Sequence, residues 1–347
     1  MNTSPKSSIR ISLNRESPRF RAALIAASGA ALILLAAVSL CAGAVPIDLR
    51  SIWAVISGAD TDSKAYQIFQ YVRLPRTLAA ALAGSALACA GAVLQTVLNN
   101  ALASPNVIGV NAGAGLFAII LSALFPQWLG FSPLAAFLGA LIAAALVYLI
   151  AVRTGASRMT IVLAGVAVSS ILSAFTDTIL TLYPDAQAGR TEFLIGSFSG
   201  VTMDNVKLAG ACILFGIAAC LVLSYDMNVL SLGDSTAMSL GMRTGVYRMI
   251  FLILAALLAG SAVSFSGLIG FVGLIVPHAA RFLAGRDNRV LIPLCALLGG
   301  AFTLGCDILA RVLFAPYELP VGIVMSFLGG PFFLYLLLRQ KRGRLLD

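Results

Sequence analysis

Long apolar runs, each nearly empty of charge, constrain this chain more than any motif in it. They lie at residues 22–45, 77–97, 107–125, 133–151, 159–181, 207–225, 247–267, 270–284, 290–313 and 320–338. Each is long enough, or nearly so, to cross a hydrocarbon core of about 30 Å as a helix. Apolar residues make up 60% of the 347 residues and charged residues 11%, whereas a soluble domain carries about 25% charged residues. Too few charges remain to face water on all sides, so lipid has to be the solvent. Backbone polar groups in lipid must find partners within the chain, and for runs of this length that means helices. The expectation is an all-α polytopic membrane protein of about ten transmembrane helices. One transmembrane domain at 22–338 then lies between polar tails at 1–21 and 339–347. The eighth run is the weakest, being short and interrupted by Pro277.

The net charge is +9, but its placement points to a bilayer. Lys6, Arg10, Arg15, Arg19 and Arg21 precede the first run. If the runs alternate from a cytoplasmic N-terminus, Arg153, Arg158, Arg243, Arg248, Arg281, Arg286, Arg289 and the basic C-tail fall on that same side. This is the bias of the positive-inside rule, and it predicts both tails in the cytoplasm. No basic patch is interleaved with aromatics, so nucleic acid is not an expected partner. The first run is longer than a signal-peptide core and further runs follow it, so an uncleaved first span is predicted. Cys41, Cys89, Cys212, Cys220, Cys295 and Cys306 all lie inside apolar runs without CxxC spacing. They read as small buried hydrophobes rather than as disulfides or metal ligands. One histidine, His278, leaves no His-based metal site.

Leu82-Ala-Gly-Ser-Ala86 with Gly91 recurs as Leu258-Ala-Gly-Ser-Ala262 with Gly267. The copies fall on the second and seventh runs, which cross in opposite senses, so the pattern predicts an inverted internal repeat. Its small residues favour close helix approach. Polar groups inside the runs are costly in lipid and mark an interior or a watery path. Ser169, Ser170, Ser173, Thr176 and Asp177 on the fifth run are candidates for a path, though hydroxyls also bond their own helix. Asp307 and Arg311 stand at i,i+4 on the ninth run, with the acid in the favourable N-terminal place. Arg73 and Arg76 lie on the outer side, against the charge rule. Two readings stay open for them: contact with headgroups or with loop acids such as Asp60 and Asp62, or docking of an acidic partner together with Arg311.

The stretch Asn228 to Gly241, within a loop at 226–245, is a soft polar interruption between two long runs. It holds no nucleophile–base pair and no metal-ligand cluster. No GxxxxGK[ST] loop exists anywhere, since Lys6, Lys64, Lys207 and Lys341 never follow glycine. If ATP drives this protein, another chain binds it, and a cytoplasmic loop is where that chain would act.

Several blocks in order now resemble one family. They are Arg73-Leu-Pro-Arg76, Gly84 to Gln95, Pro105 to Gly115, Leu232-Gly233 through Leu240-Gly241, Gly270 to His278 with Arg281, and Glu318-Leu-Pro-Val-Gly322 with Gly329-Gly-Pro331. From about residue 45 onward the chain is similar to the permeases of type II ABC importers for iron-siderophores, haem and vitamin B12. The resemblance implies ten spans per subunit and no catalytic site or bound cofactor in this chain. It implies a second permease subunit, identical or paralogous, a cytoplasmic ABC ATPase dimer that uses ATP and Mg²⁺, and an extracytoplasmic substrate-binding protein. The location implied is the inner membrane of a bacterial cell. Leu232, Gly233, Asp234, Ser235, Ala237, Leu240 and Gly241 would form the ATPase-coupling loop. Arg73, Arg76 and Arg311 would dock the binding protein. The chain departs from the family pattern at Ala101, Phe193 and Met325, where proline, tryptophan and threonine are usual. An ion-coupled secondary transporter, with Asp177 or Asp307 as proton carrier, is the competing expectation.

Overall fold

The computed structural model describes residues 17–43, 63–105, 109–154, 158–186, 191, 193–315 and 317–343, and every regular element among them is helical. In chain order these are α1 (Pro18–Cys41), α2 (Leu74–Val97), α3 (Val110–Leu124), α4 (Ser132–Arg153), α5 (Arg158–Leu182) and α6 (Met203–Val222). There follow α7 (Ser224–Ser231), α8 (Asp234–Ser239), α9 (Thr244–Ser266), α10 (Val272–Ala284), α11 (Asn288–Val312) and α12 (Val321–Gly343). Seven helices are long and apolar enough to cross a membrane; α3, α10 and the first part of α12 are shorter apolar helices. Each of the expected runs therefore holds one helix.

Three local features refine the expectation. The second helix begins early: Lys64–Ile68 and a π turn, Phe69–Arg73, lead into α2 without a break. The loop at 226–245 carries the short helices α7 and α8, as the family resemblance implies, although its own residues read only as a polar interruption. Pro277 does not end the eighth span; it lies inside α10. A proline there has no N–H for the carbonyl four residues back, which is Gly273. That freed carbonyl accepts a hydrogen bond from Gln95 Nε2 at 3.2 Å.

α2 and α9 are buried along most of their length, whereas α1 and α5 are largely exposed. The cause is side-chain size. In α2 a Cβ on Gly84 would collide with the backbone of Gly299 on α11, and one on Gly91 with that of Gly273 on α10. Small residues let backbones meet, and dispersion contacts then replace lipid. Gly260, the repeat counterpart of Gly84, sits where its Cβ would lie 2.8 Å from Ala140 on α4. Thus α2 crosses α11 while α9 crosses α4. These are corresponding helix pairs if the first five spans and the last five are copies of one another.

Hydrogen bonds fix the relative directions. The start of α1 meets the start of α11 through Arg21 and Asp287, and their ends meet through Ser39 and Arg311. Ser39 also bonds Thr77 at the start of α2. So α1 and α11 run parallel and α2 runs against them. The bundle has a tail pole, where α1 and α11 begin, and a far pole, where they end.

Candidate functional site

At the far pole, three helix ends converge on one buried charge network. Arg73 donates through Nη1 to the carbonyls of Leu40 (2.8 Å) and Cys41 (2.7 Å). These belong to the last turn of α1, which has no helical donors left for them. Arg311 serves the same helix end, bonding the Ala42 carbonyl at 3.0 Å and Ser39 Oγ at 2.6 Å. It also pairs with Asp307 at 2.9 Å. Arg76 reaches Asp307 at 3.0 Å and Glu318 at 2.5 Å. The Asp307 side chain is wholly buried, whereas that of Glu318 is 37% exposed.

Arg73, Arg76 and Arg311, expected as a docking set, are thus brought together, but each is buried and engaged within the chain. A partner that uses their charges must draw them from the groups they hold. The Asp307–Arg311 pair expected from its spacing is present. Asp60 and Asp62 lie outside the described residues.

At the tail pole, α7 and α8 are tied down on one side only. Met227 and Leu230 of α7 are buried. Asn228 Nδ2 donates to Asp287 Oδ1 at 2.8 Å, while its Oδ1 accepts from the Asn288 backbone N–H at 2.8 Å. Asp287 also caps α11 and pairs with Arg21 at 3.4 Å. In α8, Ala237 is buried, and Asp234 pairs with Arg248 of α9 at 2.7 Å. Leu232, Met238 and Leu240 point the other way and are 60%, 57% and 63% exposed. Gly233 (φ 102°) and Gly241 (φ 84°) make the turns on either side of α8 in conformations that disfavour side chains. Nothing lies within 4 Å of where a Cβ would stand on either. Ser235 is exposed. The result is a polar-footed ledge that shows apolar side chains outward, the arrangement of an interaction surface.

The candidate path residues on α5 differ in burial among the described residues. Ser169 is half-buried, Ser173 and Asp177 are exposed, and Thr176 is buried with its hydroxyl on the Leu172 carbonyl at 3.0 Å. Ser170 likewise bonds Val166. Asn111, another polar group in a span, lines a cavity of about 240 Å³ with Ser104 and Phe271. His278 packs edge-on against Phe332 on α12.

Sequence reasoning singled out Gln95 and Arg281 separately but not as the hydrogen-bonded pair they form. Gly273, Pro277 and Arg281 recur every fourth residue, on one face of α10, and Gln95 binds both ends of that row. Sequence reasoning also missed Glu318 as Arg76's partner. The clamp of Asn228, Asp287 and Asn288 was missed too; its one visible signal was an Asp-Asn pair opening an apolar run, a helix-start pattern.

Comparison with known proteins agrees with this architecture. The FecCD transport family profile matches residues 31–339. The chain is 36% identical over 331 residues to the iron(3+)-hydroxamate import system permease protein FhuB of Bacillus subtilis, covering 93% of this chain and 85% of that one. It is 41% identical over 278 residues to the cobalamin import system permease protein BtuC of Halobacterium salinarum, covering 79% and 74%. A solved inward-facing conformation of an ABC transporter assigned to the metal-chelate type superposes with a TM-score of 0.79 at 28% identity, covering 91% of this chain and 98% of that one. With its fold, its buried helix crossings and a match across nearly all its spans, this chain belongs to the FecCD transport family and is a multi-pass ABC transporter permease.

Proposed function

We propose that this chain is the transmembrane subunit of an ATP-driven importer for an iron chelate, a siderophore complex or haem, or for a corrinoid. It works by alternating access in the inner membrane of a bacterial cell, with its tail pole in the cytoplasm. The observation that carries this reading is the α7–α8 ledge. It is fixed to α9 by Asp234–Arg248 and to α11 by Asn228–Asp287, yet it turns Leu232, Met238 and Leu240 into water. A cytoplasmic ATPase dimer that covers this face can push two buried helices at once. ATP and Mg²⁺ belong to that dimer, and this subunit does no bond chemistry.

A second permease subunit supplies the other wall of the path. The exposed Ser173 and Asp177 on α5 favour this, because polar groups within a span usually face a bundle interior or a watery path rather than lipid. An extracytoplasmic binding protein delivers the chelate at the far pole, where Arg73, Arg76 and Arg311 meet. The chelate class comes from the relatives, whose names specify iron(3+)-hydroxamate and cobalamin.

Uptake by the permease reconstituted in liposomes with its ATPase and its substrate-binding protein, across a panel of ferric siderophores, haem and cobalamin, tests this reading. The expected result is accumulation of one class that requires ATP inside the compartment holding the ATPase and is indifferent to a protonophore. Uptake without the ATPase, or uptake abolished by the protonophore alone, overturns it in favour of an ion-coupled carrier. Asp307 is an unsuitable proton carrier because two guanidinium groups already claim its carboxylate.

A further inference from the structure

We propose that Glu318 is a stand-in carboxylate, holding Arg76 until an acidic side chain of the extracytoplasmic binding protein takes its place. This rests on the docking reading given above and says how docking proceeds. The far-pole network contains guanidinium groups from Arg73, Arg76 and Arg311 and carboxylates from Asp307 and Glu318. Arg73 and Arg311 are held by carbonyls at the end of α1. Asp307 is out of reach of any partner, with no exposed side-chain surface, and is shared between Arg76 and Arg311. Glu318 alone is both in the network and open to water, at 37% exposure against 7% for Arg76.

An incoming carboxylate therefore cannot bind Arg76 by simple addition. It must replace Glu318, and replacement avoids leaving a buried guanidinium without its second anion, which is the costly alternative. The exchange also has a mechanical consequence. Glu318 sits on the short link from α11 to α12, beside exposed Phe314 and Tyr317. Leu319 N–H holds the Ala310 carbonyl at 3.0 Å, and Gly322 N–H reaches the Gly196 carbonyl at 3.2 Å. Freeing Glu318 removes the ionic tie that, among the described residues, joins this link to α2, so arrival of the binding protein is felt at the start of α12.

The test measures affinity between the permease–ATPase complex in phosphatidylcholine nanodiscs and the purified binding protein that drives uptake in the reconstituted transporter. Glu318→Gln keeps shape and removes the competing charge, and Glu318→Ala removes the side chain. Both are expected to bind about tenfold more tightly than the unaltered complex. Their affinity should also fall more steeply with salt, because an ion pair is now gained without one being lost. A merely structural Glu318 would not produce that salt dependence. Unchanged or weaker binding in either folded variant overturns the exchange. Arg76→Ala separates the two ideas. If it weakens binding while the Glu318 variants do not tighten it, docking stands and exchange falls. If it leaves affinity unchanged, docking through Arg76 falls and exchange falls with it.

Discussion

The two poles bury the same residue types to different extents. At the far pole, Arg76, Asp307 and Arg311 turn inward and are almost sealed from water. At the tail pole, Arg21–Asp287 is an open pair with side chains 27% and 30% exposed, and Leu232, Met238 and Leu240 face outward instead. An exposed ion pair contributes little, whereas breaking a buried one strands a charge. The far-pole charges, Glu318 apart, are thus buried together, whereas the tail pole combines one buried guanidinium, Arg248 on Asp234, with the open Arg21–Asp287 pair and outward apolar side chains. The lesson is that a charged residue near a helix end is not thereby a docking residue, nor an apolar one thereby core.

The contrast is most easily broken at Asp307. Asp307→Ala leaves two buried guanidinium groups without their shared carboxylate, at a cost of about 3–5 kcal/mol. Thermal unfolding of the purified protein should show a large loss, and little folded protein should remain in membranes. A variant as stable as the parent would mean that the far-pole charges are as dispensable as surface ones.

Asp287→Ala is the corresponding change at the tail pole, and its effect should be smaller. It removes a helix cap, the Arg21 pair and one Asn228 bond together. Water can replace most of these, so about 1–2 kcal/mol is expected, in the range for loss of a cap. The bundle should stay folded while α7 loosens, visible as faster amide hydrogen exchange across residues 224–231. An effect as large as that of Asp307→Ala would erase the difference between the poles.

Much of this was legible in the sequence, for a physical reason. Lipid tolerates so few charges that each span announces itself as an apolar run, and helix ends follow within a few residues. The glycines that set the crossings were visible in the repeat, because only small residues allow backbones to touch. The far-pole network was not legible, since burial of Arg73 depends on carbonyls of Leu40 and Cys41 on another helix. Carbonyls carry no residue identity, so no sequence pattern marks them as partners. Glu318 was hidden for a related reason: it lies 242 positions from Arg76. The ledge was visible as a polar interruption at 226–245. Its helical form is implied by the family resemblance alone and not by its own residues, because α7 and α8 are too short to show a periodicity and are held by tertiary contacts such as Met227 and Asp234.

The finest test of the contrast lies on that ledge. Met238→Asn together with Leu240→Asn changes two side chains that stand in water, so stability should move by no more than about 0.5 kcal/mol. If an ATPase covers them, each loses about 1.5–3 kcal/mol of burial on assembly, and association should weaken by tenfold or more per residue. Co-purification of the ATPase in detergent, with the permease's own unfolding temperature as control, reads both quantities. Lost assembly with an unchanged unfolding temperature fits a surface built for a partner. Lost stability would show that these side chains serve the fold, and the tail pole would then resemble the far pole. Retained assembly would move the ATPase contact elsewhere on the tail pole, because two polar amides in a dry interface could not leave the affinity intact.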